Sequence, residues 1–263
     1  MRRLDGRVPF RGGGFSPRVL PGAAAATLIG LVLLWQAGAS AGVIPTLFLP
    51  APASIAVALY HLAASGELWR HLGASLQRLA IGWSIGTVAG LAVGLAVGLF
   101  SVARGPGMAV VSALFPIPKI ALVPLFIIWF GIGEGSKDAT LAFGVFFPTV
   151  ISTAAGIDAV PRGLIRMAQS FSLPFWSIVG KVILPGALPA ILSGFRVTVS
   201  IAIILLVAAE MIGAERGIGA FVLSAGNLYD TDNLLAGIVM LSLMGLVLSW
   251  VIGRLERALL GWR

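Results

Sequence analysis

The sequence predicts an all-α protein that crosses a membrane six times, and three observations predict it. Of 263 residues, 58% are hydrophobic and only 11% charged, whereas a soluble domain carries about 25% charged residues. The mean hydropathy is +1.01. The charges are separated by apolar runs close to the ~20 residues that a helix needs to cross hydrocarbon. The lysines and arginines also fall mostly on one side of those runs, as they do when they orient a chain in a bilayer. This balance excludes intrinsic disorder, coiled coil, collagen-like repeats and a cytosolic enzyme fold. With no cysteine and two histidines, His61 and His71, it also excludes disulfide frameworks, thiolate zinc sites and cysteine nucleophiles. The net charge of +8 serves orientation here, so no nucleic-acid partner is expected.

Each span follows from where charge is missing. Residues 1–18 form a basic arm rich in Gly, Arg and Pro, expected to be flexible and cytosolic, and residues 19–40 form the first span. Its end, Ala37-Gly38-Ala39, also resembles a signal-peptidase site, but its apolar run is longer than a usual signal core. Residues 41–75 form an external segment, with turns at Pro45, Pro50 and Pro52 and a surface helix from Ile55 to Leu72. Residues 76–259 form a five-helix core. Between Arg78 and Arg104 lie 25 uncharged residues, giving the second span. It carries Gly82, Gly86, Gly90, Gly94 and Gly98, a four-residue spacing that lines one helical face and lets a neighbouring helix approach closely. That face serves helix packing, or a tightly packed wall of a transport path.

The third span, residues 105–133, holds Pro116, Pro118 and Pro124 and a single charge, Lys119. Proline removes backbone hydrogen bonds, so the helix is kinked or broken there. Freed carbonyls at that depth are tolerated where they are buried or line a wet cavity. An intramembrane lysine is a candidate for drawing in an anionic solute; the alternative is a lysine snorkelling to the headgroups. The fourth span takes the 19 uncharged residues between Asp138 and Asp158. The fifth runs from Ala187 to Ile212 and contains Arg196, near enough to its start to snorkel, and Glu210. Glu210 is a candidate for an external gate or for an ion pair with Arg216. The sixth takes the 21 residues between Asp232 and Arg254, leaving residues 260–263 as a cytosolic tail. Trp69 and Trp129 fall near the outer interface, Trp176 and Trp262 near the inner one, as aromatic anchors do.

With both termini in the cytoplasm, thirteen of the 18 basic residues lie inside and four outside: Arg70, Arg78, Lys137 and Arg216. The reverse orientation places that excess outside. The long inner connection, residues 158–189, is then the most informative segment. Leu164, Ala168, Phe171, Phe175, Ile178, Val179 and Val182 recur at helical spacing, interrupted by Pro174. Because proline disfavours helix at the residue before it, the expectation is a short amphipathic helix, a break, another turn or two, and a stop at Leu184-Pro185. Such an element lies flat on a membrane or docks in a partner's groove.

The segment RMAQSFSLPFWSIVGKVILPGALP, Arg166 to Pro189, resembles the cytoplasmic loop of the membrane permeases of bacterial ABC importers. That loop reads Glu-Ala-Ala, three residues, Gly, nine residues, Ile-x-Leu-Pro. Aligned on Leu184-Pro185, Arg166 stands at the glutamate, Met167 and Ala168 at the alanines, Ser172 at the glycine and Val182 at the isoleucine. LPAPASIAVAL (49–59), SGELWRHLGASLQRLAIGW (65–83), FPIPKIALVPLFIIWFGIGEGSK (115–137) and AERGIGAFVLSAGNLYDTDNLLAGI (214–238) resemble the nitrate/sulfonate/taurine group of those permeases. The resemblance implies a permease of the bacterial inner membrane, paired with a second copy of itself and with two cytoplasmic ATPase subunits. An extracytoplasmic binding protein delivers a small anionic solute such as a sulfonate, taurine or nitrate. It further implies that Arg166, Met167, Ala168, Gln169, Ser170, Phe171, Ser172, Leu173 and Pro174 form the element that couples to the ATPase. Pro116, Pro118, Lys119 and Glu210 are the candidates for the translocation path.

No cofactor is expected on this chain; ATP and magnesium belong to the partner subunits. The nearest approach to a phosphate-cradling loop, Gly180-Lys181, has Phe175 at the required first glycine and Val182 at the required Ser/Thr. There is no Ser/His/Asp set for catalysis, so the chain is expected not to be an enzyme. The rival readings are a self-sufficient channel or secondary carrier, which usually pairs ionisable groups at the midplane, and a membrane-embedded enzyme.

Overall fold

Eleven α-helices account for most of residues 22–261, the part of the chain described by the computed structural model, and no strand occurs among them. The expected arm at 1–18, the first residues of the predicted first span, Trp262 and Arg263 lie outside the described residues. The chain divides into two units, Met1–Ala56 and Val57–Arg263.

In the first unit, α1 (Ala23–Ser40) is uncharged and exposed along nearly its whole length. A helix apolar on every side suits lipid on every side. Gln36 closes this unit locally: its Oε1 accepts from the Ala53 amide at 3.0 Å, at the start of α2 (Pro52–Ala64), and its Nε2 donates to Ser40 Oγ at 3.0 Å.

Helix α2 ends where the sequence predicted it to continue. The surface helix expected from Ile55 to Leu72 is interrupted at Gly66, which adopts a left-handed φ of +81°, a conformation that ends helices and favours glycine. Residues after it belong to α3 (Glu67–Leu99), 33 residues long. At 1.5 Å per residue that is about 50 Å, against an apolar layer of about 30 Å. The polar first turns of α3 therefore reach past the hydrocarbon while remaining helical.

The core of the second unit is α6 (Glu134–Asp158), the most enclosed of the long helices. All five glycines of the α3 stripe face it. A Cβ built at Gly82 falls 2.6 Å from Leu141 Cβ, one at Gly90 2.7 Å from the Phe146 carbonyl, and one at Gly94 2.6 Å from Thr153 Cβ. The Gly86 and Gly98 positions abut Ala142 and Ile157 of the same helix. With no hydrophobic drive between helices in lipid, such backbone approach maximises dispersion contacts. On its other side α6 meets α9 (Leu184–Gly213), where Gly144 leaves room for Leu205 and Gly194 for Ser152. Leu79, Leu141, Val145, Ala202, Leu206, Ile218 and Met240 close the core. Helix α10 (Ile218–Asn227) packs on α9, and α11 (Thr231–Leu259) on α10. The sequence reading did not anticipate α10, because a ten-residue apolar helix is too short to register as a span.

Where six spans were predicted, five helices are long and apolar enough to cross, and a sharply bent pair stands at the predicted third. That pair is α4 (Ser101–Leu114), then a 3₁₀ turn (Lys119–Leu122) running into α5 (Val123–Phe130), bent by 86°. The expected break at the prolines is present: Pro116 and Pro118 occupy the gap, and Pro124 sits in the first turn of α5, where a missing N–H costs nothing.

The predicted stop at Leu184-Pro185 is absent. After α7 (Arg162–Ser170) and the short α8 (Phe175–Ile178), a π turn (Val179–Ile183) leads directly into α9. Pro185 falls in the first turn of α9, immediately after that wider turn. There its ring does not meet a regular α-helical carbonyl four residues back, and the helical path runs on for 39 residues from Phe175 to Gly213.

Candidate functional site

The sequence-predicted site residues lie in three separate places. The first is the proline break. Lys119 directs its ammonium to the Phe115 carbonyl, at the last turn before the gap, and sits 4.8 Å from the centroid of the Phe115 ring and 5.5 Å from that of Phe147. Phe147 is enclosed within α6. Behind it Phe143, Phe146 and Phe126 form a chain of edge-to-face rings. A cation over aromatic faces with a freed carbonyl beside it is a polar point set into an apolar wall. It remains partly open to the surroundings.

Glu210, the other charged path candidate, is held elsewhere and by a partner the sequence did not suggest. Its expected ion pair with Arg216 does not form. Instead Arg78 Nη1 donates to Glu210 Oε1 at 2.7 Å and to the Arg216 carbonyl at 2.5 Å, so Arg216 contributes backbone rather than charge. Ser75 Oγ donates to Glu210 Oε1 and the Gly219 amide to Oε2, each at 2.8 Å. The carboxylate is fully enclosed, its side chain 0% exposed. Charges so buried persist only when paired and fully hydrogen-bonded. Arg78 also spans to Glu134, Nε to Oε2 at 2.5 Å and Nη2 to Oε1 at 2.9 Å. His71 Nδ1 accepts from the Gly217 amide at 3.1 Å, and Ser75 Oγ accepts from Ile218 at 2.9 Å. Gly217 takes a φ of +137°, and a side chain there would strike the Glu210 carboxyl.

His71, Ser75 and Arg78 are therefore one polar face of α3 that the sequence reading missed. The signal was present as polar residues at i, i+4 and i+7, the spacing of one helical face. It was hidden because the helix was expected to end at Leu72.

The third place is the connection between α6 and α9. Of α7, only Ala168 is buried; it enters a cluster with Ile178, Val179, Ile183 and Ala187. Met167 is 53% exposed, Phe171 74% and Trp176 70%, a large apolar display for one short loop. Arg166, Gln169 and Ser170 are exposed alongside. The end of α7 is closed by two hydrogen bonds, Ser172 N–H to Gln169 O at 2.8 Å and Leu173 N–H to Ala168 O at 3.3 Å. This is the pattern of a helix terminated by a left-handed residue. Ser172 is that residue, with φ +54°, so the position where the resembling loops carry glycine is one where a side chain is strained. An L-residue pays roughly 1 kcal/mol there. Ser172→Gly is expected to protect the Ser172 and Leu173 amides about five-fold better in hydrogen exchange, and Ser172→Val to protect them less.

Two further ion pairs tie helices together: Arg104 to Asp158, bidentate at 2.8 and 2.6 Å, and Arg196 to Glu256 at 2.6 Å. Arg196, expected to snorkel, is thus paired with α11. Both pairs are partly open to the surroundings, where such pairs add little to stability.

Comparison with known proteins agrees with this architecture. SsuC of Escherichia coli (strain K12), a permease protein named for aliphatic sulfonates transport, is 41% identical over 234 residues, covering 89% of this chain and 89% of that protein. The taurine transport system permease protein TauC of the same organism is 38% identical over 241 residues, covering 90% and 88%. A solved structure of the MetNI methionine ABC transporter in an inward-facing conformation aligns with a TM-score of 0.61 at 23% identity. The alignment covers 70% of this chain and 92% of that one, which establishes the shared fold. Residues 86–261 match the family described as binding-protein-dependent transport system inner membrane component, and the chain belongs to that family of multi-pass inner-membrane ABC permeases.

Proposed function

We propose that this permease passes a small organic anion of the sulfonate type, taurine or an aliphatic sulfonate, into the cell. The observation that carries this reading is the identity of 41% and 38% to permeases named for those solutes, over about nine-tenths of the chain. Lys119 supports it: a cation beside aromatic faces suits a solute with an anionic head and a short carbon tail. Energy comes from two separate ATPase subunits. A second copy of the chain completes the path, and an extracytoplasmic binding protein delivers the solute. The termini are cytoplasmic, as the excess of basic residues on that side supports. Residues 166–174 couple to the ATPase, each exposed face of α7 and the Phe171 tip seating in a groove of that subunit. Because a coupling contact shifts a conformational equilibrium only through different affinities in its two states, the element binds more tightly in one state of the ATPase cycle.

The deciding experiment is uptake into proteoliposomes containing the chain, its ATPase and its binding protein. Radiolabelled taurine is expected to accumulate only with all three components and ATP. Uptake driven by an ion gradient in the chain alone would establish the carrier reading instead. Within the same assay Lys119→Ala is expected to raise KM for taurine at least ten-fold, the loss of one charge-assisted contact; an unchanged KM removes Lys119 from the path.

A further inference from the structure

The charge cluster at the start of α3 has two halves of different character. Glu210 is completely enclosed and accepts from Ser75, Arg78 and Gly219, so its half is permanent. Glu134 is the first residue of α6, its side chain 58% exposed, and its other charged neighbours are Lys137 at 3.8 Å and Asp138, one turn along α6. It follows Gly131, which has a φ of +79°, in an exposed turn that links the eight-residue α5 to α6. The close α3–α6 contact begins one turn further on, where Gly82 meets the Asp138 carbonyl and Leu141. Arg78 supplies the ion pair that joins this turn to α3, next to the packing of Ser136 and Lys137, which are 3% and 5% exposed. Helix α5 in turn leads back through its 3₁₀ turn to Lys119.

We propose that the Arg78–Glu134 pair is a latch, which holds the α5–α6 turn against the ends of α3 and α9 and must release for this end of the subunit to open. Arg78 is a positioning residue. It keeps its grip on Glu210 while the Glu134 carboxylate, reachable by water, leaves and returns. Breaking one half-exposed pair takes far less than uncovering Glu210, so opening proceeds at the α6 side and leaves the α3–α9 contact in place. Release lets α5 shift, and with it the Lys119 break that it anchors. That this end faces outward rests on the permease reading above.

The chain has no native cysteine, so a single introduced thiol reports the opening. Ile218 is 0% exposed, belongs to the same core cluster as Leu79 and Leu141, and its amide donates to Ser75 of the charge cluster. In the full complex in nanodiscs, without nucleotide, Ile218→Cys is expected to react slowly with a maleimide. Adding Glu134→Gln is expected to speed that reaction at least ten-fold, and Glu134→Asp to return it toward the slow rate. Val179→Cys, a buried reporter at the opposite end of the bundle, is expected to keep its slow rate in both variants. Equal Ile218 rates with and without Glu134→Gln would overturn the latch, and so would a parallel rise at both reporters, which would show general loosening. ATP-driven taurine uptake by the unsubstituted complex is scored separately: its absence would remove the transport reading while the contrast between the two thiols still decides the latch.

Discussion

Phe171→Asp is expected to abolish association with the ATPase subunit while the chain still inserts and folds. Phe171 is 74% exposed, and its backbone amide, bonded to the Met167 carbonyl at 3.2 Å, is unaffected by the change. On the proposed coupling role the ring is buried in a partner groove, a contribution of about 2–3 kcal/mol. Replacing it with a carboxylate forfeits that and adds the desolvation of an unpaired charge, several kcal/mol more. Together they weaken binding at least a thousand-fold, beyond detection by affinity purification. Ala168→Asp, one turn earlier, is the contrasting variant: Ala168 is 3% exposed in the cluster under α7, so a charge there unfolds the loop itself. Copurification of the ATPase at normal yield with Phe171→Asp would refute the coupling assignment.

Gly86→Val is expected to prevent stable folding. A Cβ at Gly86 falls 2.9 Å from the Ala142 Cα and 3.0 Å from its carbonyl carbon. Those are backbone atoms, with no side-chain end that can rotate away. The two helices must separate, and the dispersion contacts along all five glycines are lost together. Ordinary overpacking costs about 1–3 kcal/mol where side chains can give; here the cost is expected to exceed ~3 kcal/mol. Gly73 on the same helix meets nothing within 4 Å, and Gly73→Ala is expected to be neutral or to stabilise by up to ~1 kcal/mol through helix propensity. Resistance to SDS unfolding in detergent, measured for both variants, checks the contrast. Comparable stability of the two would mean that α3 and α6 do not pack through this face.

How much was legible in the sequence differs from feature to feature for physical reasons. The break at Lys119 could be read directly, because proline's missing N–H and fixed φ act on the chain within a few residues. The glycine stripe was legible as a face, since a four-residue spacing stays close to one helical turn, but not the identity of the helix it meets. The uninterrupted run through Pro185 was not legible: a proline ends a helix or opens its first turn according to the turn before it, and the π turn at Val179–Ile183 has no clear sequence signature. Ser172 is a middle case. Its place at the glycine of the resembling loop was visible, and the positive φ supplies the reason that glycine is found there.

The charge cluster was the feature least accessible from sequence. Glu134 and Glu210 lie 56 and 132 positions from Arg78 along the chain, and a hydropathy profile assigns each to a span end without saying which ends meet. Sequence by itself determined the class of protein, the apolar segments, the break at the prolines and the exposed amphipathic loop, because run length, proline and side-chain periodicity are local properties of the chain. Tertiary structure decided that Glu210 pairs with Arg78 rather than with its near neighbour Arg216. Buried charges settle where helix packing brings compensating donors together, and that packing is set by close approach between helices far apart in sequence.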